Sequence, residues 1–188
     1  NSMKALLLDS RIDSKMVEYI ATKLVEKGVV IKGCPKTAEM LRAQKIPVMD
    51  ANQSDWSTEY LDLVLPVRIV NGVDDAIAHI NRYGSKHTDA ILTMDKKVAK
   101  HFLRMVDSSS VMLNASTRFS DGYRYGIGAE VGISTNKIHA RGPVGLEGLV
   151  TTKFVLLGSG QKVSEYMGKG ARAFIHKRII GNWESRME

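Results

Sequence analysis

The chain has 188 residues, 44% hydrophobic and 25% charged, which is the balance of an ordinary globular protein long enough for one large domain or one domain with an appendage. A core of this size needs no staples, and the single cysteine, Cys34, excludes an internal disulfide framework and a cysteine-rich zinc site while fitting a reducing compartment. The formal charge of +7 comes from dispersed basic residues such as Lys23, Lys27, Lys32, Lys36 and Lys45, which reads as a solvated surface or as attraction for a phosphate or carboxylate, not as a nucleic-acid interface. No apolar run approaches the roughly 18 residues that would span a bilayer, and no signal-peptide pattern opens the chain, so no membrane partner is expected.

Apolar runs and helical periodicity alternate along the chain. Lys4 to Leu8 reads as a buried strand, and Ile12 to Lys27 as a helix ended by Gly28. A strand over Val29 to Ile31 follows, then a helix over Lys36 to Gln44 opened by Pro35. Leu61 to Val70 is a strand in which Pro66 argues for an edge or an irregularity. Val73 to Tyr83 is a helix with Asp74 and Asp75 at its favourable end and Gly84 beyond it. Strand Thr88 to Met94, helix Asp95 to Val106 and strand Ser110 to Asn114 complete the alternation, and Thr151 to Leu157 is a late strand. The expected fold class is α/β, a mostly parallel sheet flanked by helices. The expected division is 1–150 for this domain and 151–188 for a late strand and tail. The abrupt apolar start after Asn1, Ser2 and Met3 suggests a piece of a longer polypeptide.

Between two of these runs lies Val111 to Leu149, too glycine-rich for one regular element and too apolar for disorder. It places Asn114, Ser116, Thr117, Arg118 and Phe119 just after a strand, where α/β sheets hold ligands. The G-x-G-x-x-G and Walker-type loops are absent, and the run Gly122, Gly126, Gly128, Gly132 has spacing better suited to tight turns and close packing. His79 and His87 are eight apart and lack a third ligand, so they read as structural rather than metal-binding.

Four blocks carry a resemblance: AIAHINRYGSKHTDAI at Ala76 to Ile91, NASTRFSDG at Asn114 to Gly122, GAEVGIS at Gly128 to Ser134 and HARGPVGLEGL at His139 to Leu149. They resemble gamma-glutamyl phosphate reductases (glutamate-5-semialdehyde dehydrogenases) of the aldehyde dehydrogenase superfamily, which occur alone or fused behind a glutamate kinase in pyrroline-5-carboxylate synthase. The resemblance runs from the start of the chain to about Leu157 and implies most of an aldehyde-dehydrogenase-type catalytic domain plus a late strand for oligomerisation. It implies an NADPH-dependent reduction of gamma-glutamyl phosphate to glutamate-5-semialdehyde, on the way to proline. In that reaction a cysteine thiolate expels phosphate and the thioester is then reduced.

Residue by residue, Asn1 to Met3 and Leu6 to Leu8 match the stretch directly after the family's nucleophilic cysteine, so that cysteine is expected just before Asn1 and no catalytic residue in this chain. Cys34, in IKGCPKT, is off the family position and reads as incidental. The 114–119 segment matches the substrate-anchoring region. Arg118 would clamp a carboxylate there, or else pair with Asp121 or Glu130. Glu59 resembles the glutamate that contacts the nicotinamide ribose, although the family's aromatic and Gly-Pro two residues after it are replaced by Leu61, Asp62 and Leu63. Homo-oligomerisation through Thr151 to Leu157 is implied, as is a cytoplasmic location, or a mitochondrial or plastid one for a bifunctional parent. The alternative is a stand-alone assembly or regulatory module that has lost catalysis.

Overall fold

A computed structural model describes residues 2–128, 130, 133–134, 137 and 140–178. Asn1, Gly132 and His139 lie outside them. The chain forms two units that meet at Thr151 and Thr152.

In the first unit, strand β1 (Leu6–Asp9) leads into helix α1 (Ser14–Glu26), where the Asp13 carboxylate caps the first turn by accepting from Lys15 N. Strand β2 (Val30–Gly33) is followed by α2 (Pro35–Ala43), with Pro35 in its first turn, and by the short β3 (Met49–Asp50). A 3-10 turn over Gln53–Trp56 precedes β4 (Val64–Val70) and α3 (Gly72–Tyr83). Strand β5 (Thr88–Ile91), α4 (Lys96–Met105) and β6 (Ser110–Leu113) repeat the alternation. The Asp95 carboxylate caps α4, accepting from Lys97 N at 2.7 Å and Val98 N at 3.1 Å.

The strands pair in parallel, in the order β1-β4-β2-β3 in one sheet and β5-β6 in another. Helices α1 and α2 bury Val17, Ala21 and Leu41 against Leu8, Ile31, Leu65 and Val67 of the first sheet. Ile77 of α3 and Phe102 of α4 form a second cluster with Val106, backed by Ile91 and Val111 of the β5-β6 pair. Strand β4 is nearly continuously buried, as a central parallel strand covered on both faces must be.

That position corrects the expectation for Pro66. It lies in the interior strand, opposite Lys32, not at an edge. The reason is the alternation of the ladder. Val67 O accepts from Cys34 on the β2 side and Val70 O accepts from Ser10 on the β1 side. The residue before Val67 therefore directs its missing N–H toward β1, whose paired residues begin only at Leu6, opposite Val67. The proline removes a donor where the ladder has not yet started.

A short antiparallel pair, β7 (Ile133–Ser134) with β8 (Gly142–Pro143), comes after the parallel strands and was not anticipated. Arg141 fastens this region to the end of α4, donating to Asp107 Oδ1 at 3.1 Å and to Asp107 O at 3.0 Å. The strand expected over Thr151 to Leu157 is not formed: a strand needs a partner edge, and none of the described strands pairs with it. Beyond it a 3-10 turn (Val163–Tyr166) is closed by Arg172, whose guanidinium lies 3.0 Å from Glu165, and Tyr166 stacks on Phe174.

Candidate functional site

The segment 114–119 stands at the carboxyl end of β5 and β6, the position at which open α/β sheets present ligand-binding loops. It is aimed by Asn114. The Asn114 N–H continues the ladder by donating to Ile91 O at 2.8 Å, and the backbone then turns into the left-handed region at φ 51°. Asparagine tolerates that conformation better than most side chains. Its amide fills the turn: Oδ1 accepts from Thr93 N at 2.9 Å and Nδ2 donates to Thr93 O at 2.9 Å. This two-point clamp ties the amide to the β5–α4 loop and sets the direction of the segment, using one of its two N–H donors and one of its two acceptor sites.

Ser116 then caps a 3-10 turn over Thr117–Phe119, with Oγ accepting from Arg118 N at 3.2 Å. Arg124 braces the far side by donating to Arg118 O at 3.0 Å. Below the turn, Ser120 is buried 3.3 Å from Ser110 Oγ, which also accepts from the Tyr125 hydroxyl at 2.8 Å. The backbone of 116–120 is therefore held from three directions, while the Arg118 side chain and the Phe119 ring face solvent. Neither pairing weighed for Arg118 is formed. Asp121 pairs with Arg124 at 3.2 Å, Glu130 accepts from Gly122 N at 2.9 Å, and Arg118 makes no ion pair among the described residues. Gly122 is required by that approach, since a Cβ there would meet Gly128 O at 2.8 Å. A rigid loop ending in an exposed, unpaired guanidinium can bind a carboxylate through two parallel N–H donors.

Glu59 lies on a different loop, between the 3-10 turn and β4, and its exposed carboxylate takes no hydrogen bond or ion pair among the described residues. The chemistry fits a cofactor ribose, whose paired hydroxyls need an acceptor of this kind. His87 precedes β5. Burial lowers its pKa, while the Glu130 and Glu59 carboxylates, with Asp89, favour its charged form. Its Nδ1 lies 2.6 Å from Thr88 Oγ1, bracing the first residue of β5. His79 sits in α3, buried between Trp56 and Tyr83, with neither ring nitrogen hydrogen-bonded among the described residues. Burial, with Arg68 adding to it, pushes its pKa down to about 4.

Cys34 occupies the N-cap position of α2, half-buried, with Sγ 3.2 Å from Thr37 Oγ1. Burial pushes the thiol up, but Thr37 and the backbone N–H groups around the helix start outweigh it and the net shift is downward. That polarisation was not foreseen from IKGCPKT, although proline after an N-cap residue signals a helix start. Sequence reading also missed Lys32, Asp55 and Tyr60, which meet in one half-buried network around the buried Asp55. Lys32 Nζ donates to Asp55 Oδ1 at 2.9 Å and to the Tyr60 hydroxyl at 3.0 Å, and that hydroxyl donates to Asp55. The signal that could have found Asp55 is its spacing from Asn52, which forms a capping box with both arms present.

Parallel strands flanked by helices, with irregular loops beyond their carboxyl ends, define an α/β domain. No protein-family model matches the chain, but curated relatives do. It is 51% identical over 182 residues to the gamma-glutamyl phosphate reductase of Methanococcoides burtonii, covering 95% of this chain and 40% of that protein. It is 50% identical over 161 residues to that of Caldicellulosiruptor saccharolyticus, covering 86% and 38%. The crystal structure of gamma-glutamyl phosphate reductase from Thermotoga maritima superposes with a TM-score of 0.76 at 44% identity, over 84% of this chain and 37% of that one. The chain is similar to a segment of these gamma-glutamyl phosphate reductases and spans about two fifths of the length of the curated relatives it matches.

Proposed function

We propose that this chain is the substrate-anchoring part of an NADPH-dependent gamma-glutamyl phosphate reductase of the aldehyde dehydrogenase superfamily. The observation that carries the reading is the fixed turn at Ser116 to Phe119 at the carboxyl end of β6, with a solvent-facing Arg118 that makes no ion pair among the described residues. The substrate has an α-carboxylate at the end remote from the reacting carbon. Arg118 binds that carboxylate bidentately, Ser116 and Thr117 line the same turn, and Phe119 supplies an apolar wall. Gripping the remote end sets the acyl carbon at a fixed distance from the attacking group, which replaces an entropic barrier with prior binding energy.

Glu59 accepts from the ribose hydroxyls of the nicotinamide cofactor, which supplies the reducing equivalent when bound. The nucleophilic cysteine is borne on polypeptide adjoining Asn1, and the segment 1–188 by itself is without activity. Cys34 is not that nucleophile. Its Sγ sits at the start of α2 against Thr37, beyond the carboxyl end of β2, in a sheet separate from the β5-β6 pair that carries the anchor loop. Thr152 to Leu157, with Phe154 and Leu156 almost wholly exposed, pairs with another copy of the chain. A fused or associated glutamate kinase is compatible with this arrangement.

The test is the reverse reaction of a full-length protein carrying this sequence. Reduction of NADP by glutamate-5-semialdehyde is expected to require inorganic phosphate, because the acyl group must leave as the acyl phosphate. Phosphate-independent reduction, or none at all, contradicts the reading.

A further inference from the structure

The loop that carries Glu59 has little of its own to hold it in place. Leu61 is 89% exposed, with a left-handed φ of 54°, and Leu63 is 57% exposed, so no apolar side chain after Glu59 anchors the segment before β4 begins. On the near side, Thr58 Oγ1 donates to Ser54 O at 2.8 Å, and Thr58 N to the same oxygen at 3.0 Å. On the far side, Leu63 O accepts from Val30 N at 2.8 Å. Between these ties the first buried attachment after Glu59 is its immediate neighbour Tyr60.

The Tyr60 hydroxyl enters a site made by three separate pieces of chain. Asp55 is 2% exposed, and its carboxylate takes three donors: Oδ2 accepts from Asn52 N at 2.7 Å, while Oδ1 accepts from both Lys32 Nζ and the Tyr60 hydroxyl. Lys32 reaches it from β2, where the ladder with Pro66 of β4 and Met49 of β3 fixes the backbone on both sides. The ammonium also lies 5.1 Å from the centroid of the Tyr60 ring. A buried carboxylate with a cation and two further donors is a costly arrangement unless complete, and a complete one has a single geometry. The position of Tyr60 is thereby referred to the central sheet through Lys32 and to the 3-10 turn through Asp55.

We propose that Lys32, Asp55 and Tyr60 are positioning residues for Glu59, presetting its carboxylate for the cofactor ribose in the nicotinamide-dependent reaction. The inference rests on the reading of Glu59 given under the proposed function. Its physical content is preorganisation: a loop ordered before binding does not charge its ordering entropy to the ligand. Removing the hydroxyl of Tyr60 while keeping the ring loosens the loop next to Glu59 without disturbing the turn at Ser116 to Phe119.

The experiment is steady-state kinetics on a full-length reductase carrying this sequence, with Glu59→Gln, Tyr60→Phe and Lys32→Arg variants. Tyr60→Phe is expected to raise KM for NADP about fivefold, the size of one net hydrogen bond, with kcat and KM for glutamate-5-semialdehyde within about twofold of the parent. Lys32→Arg, which keeps the charge but not the geometry, is expected to move KM for NADP in the same direction by less. Direct titration of NADPH binding should show the same order. If Glu59→Gln itself leaves KM for NADP unchanged, the cofactor reading of Glu59 fails and the positioning role fails with it. If Glu59→Gln raises that KM while Tyr60→Phe and Lys32→Arg lower only the thermal midpoint, the network is merely structural and the proposal is overturned.

Discussion

Asn114 offers a perturbation whose size can be worked from the structure. Its amide makes two hydrogen bonds to the backbone of Thr93, both 2.9 Å, and its backbone holds a φ of 51°. Each bond contributes about 0.5–1.5 kcal/mol net, and the lower half of that range applies because the residue is exposed. A side chain without Asn's local hydrogen bonding costs about 1–2 kcal/mol in the left-handed region. Asn114→Ala loses both bonds and meets the backbone penalty, roughly 2–4 kcal/mol for local opening of the loop. Asn114→Gly loses the bonds alone, roughly 1–2 kcal/mol. Amide hydrogen exchange separates the terms, because Thr93 N has Asn114 Oδ1 as its acceptor while Asn114 N donates to Ile91 O. Thr93 should exchange about tenfold faster in both variants, and residue 114 itself much faster in the alanine variant than in the glycine variant. Unchanged exchange at Thr93 in Asn114→Gly would refute the clamp.

His79 gives a pH dependence with a definite sign. Its folded pKa, about 4, lies below the value near 6.5 of the unfolded chain, so the unfolded state takes up the proton first. Its contribution is complete above pH 6.5 and is lost as pH falls toward 4, a change of up to roughly 3 kcal/mol. The urea midpoint should drop across that window, and His79→Gln should flatten the drop; an equal slope in both proteins rejects the assignment. Gly84→Ala would place a methyl carbon 2.5 Å from Ile80 O, a backbone atom that also accepts Gly84 N at 2.7 Å. The C-terminal turn of α3 must shift, and denaturant melts should show a loss of about 1–3 kcal/mol; a neutral result means the turn is slack.

The alternation of strands and helices was readable because each element states its period locally. Helices α1 and α3 fill windows read as helical, and Gly28 and Gly84 stand beyond their ends. The features that escaped depend on chain order in space. Pro66 suggests an edge only until the register shows where its missing donor points. Thr88 to Met94 ends as a strand at Ile91 because the Asn114 amide takes over the pairing at Thr93. At the site, the segment 114–119 was singled out from residue types after a strand, but the hydrogen bonding within it was not legible. Asn114 turns inward to Thr93, and Arg118 is left free of Asp121 and Glu130, because Arg124 and Gly122 take those carboxylates. Lys32 and Asp55 are 23 residues apart, and no local pattern links a lysine in a strand to a turn that far away.

The central claim is that the exposed guanidinium at the end of β6 grips the amino-acid head of the substrate. Its most direct test is KM for glutamate-5-semialdehyde in an Arg118→Ala variant of a full-length reductase carrying this sequence. A charge-assisted bidentate contact predicts a rise of about tenfold or more, with KM for NADP unchanged. An unaltered KM for the semialdehyde, in an enzyme that still turns over, would contradict the account.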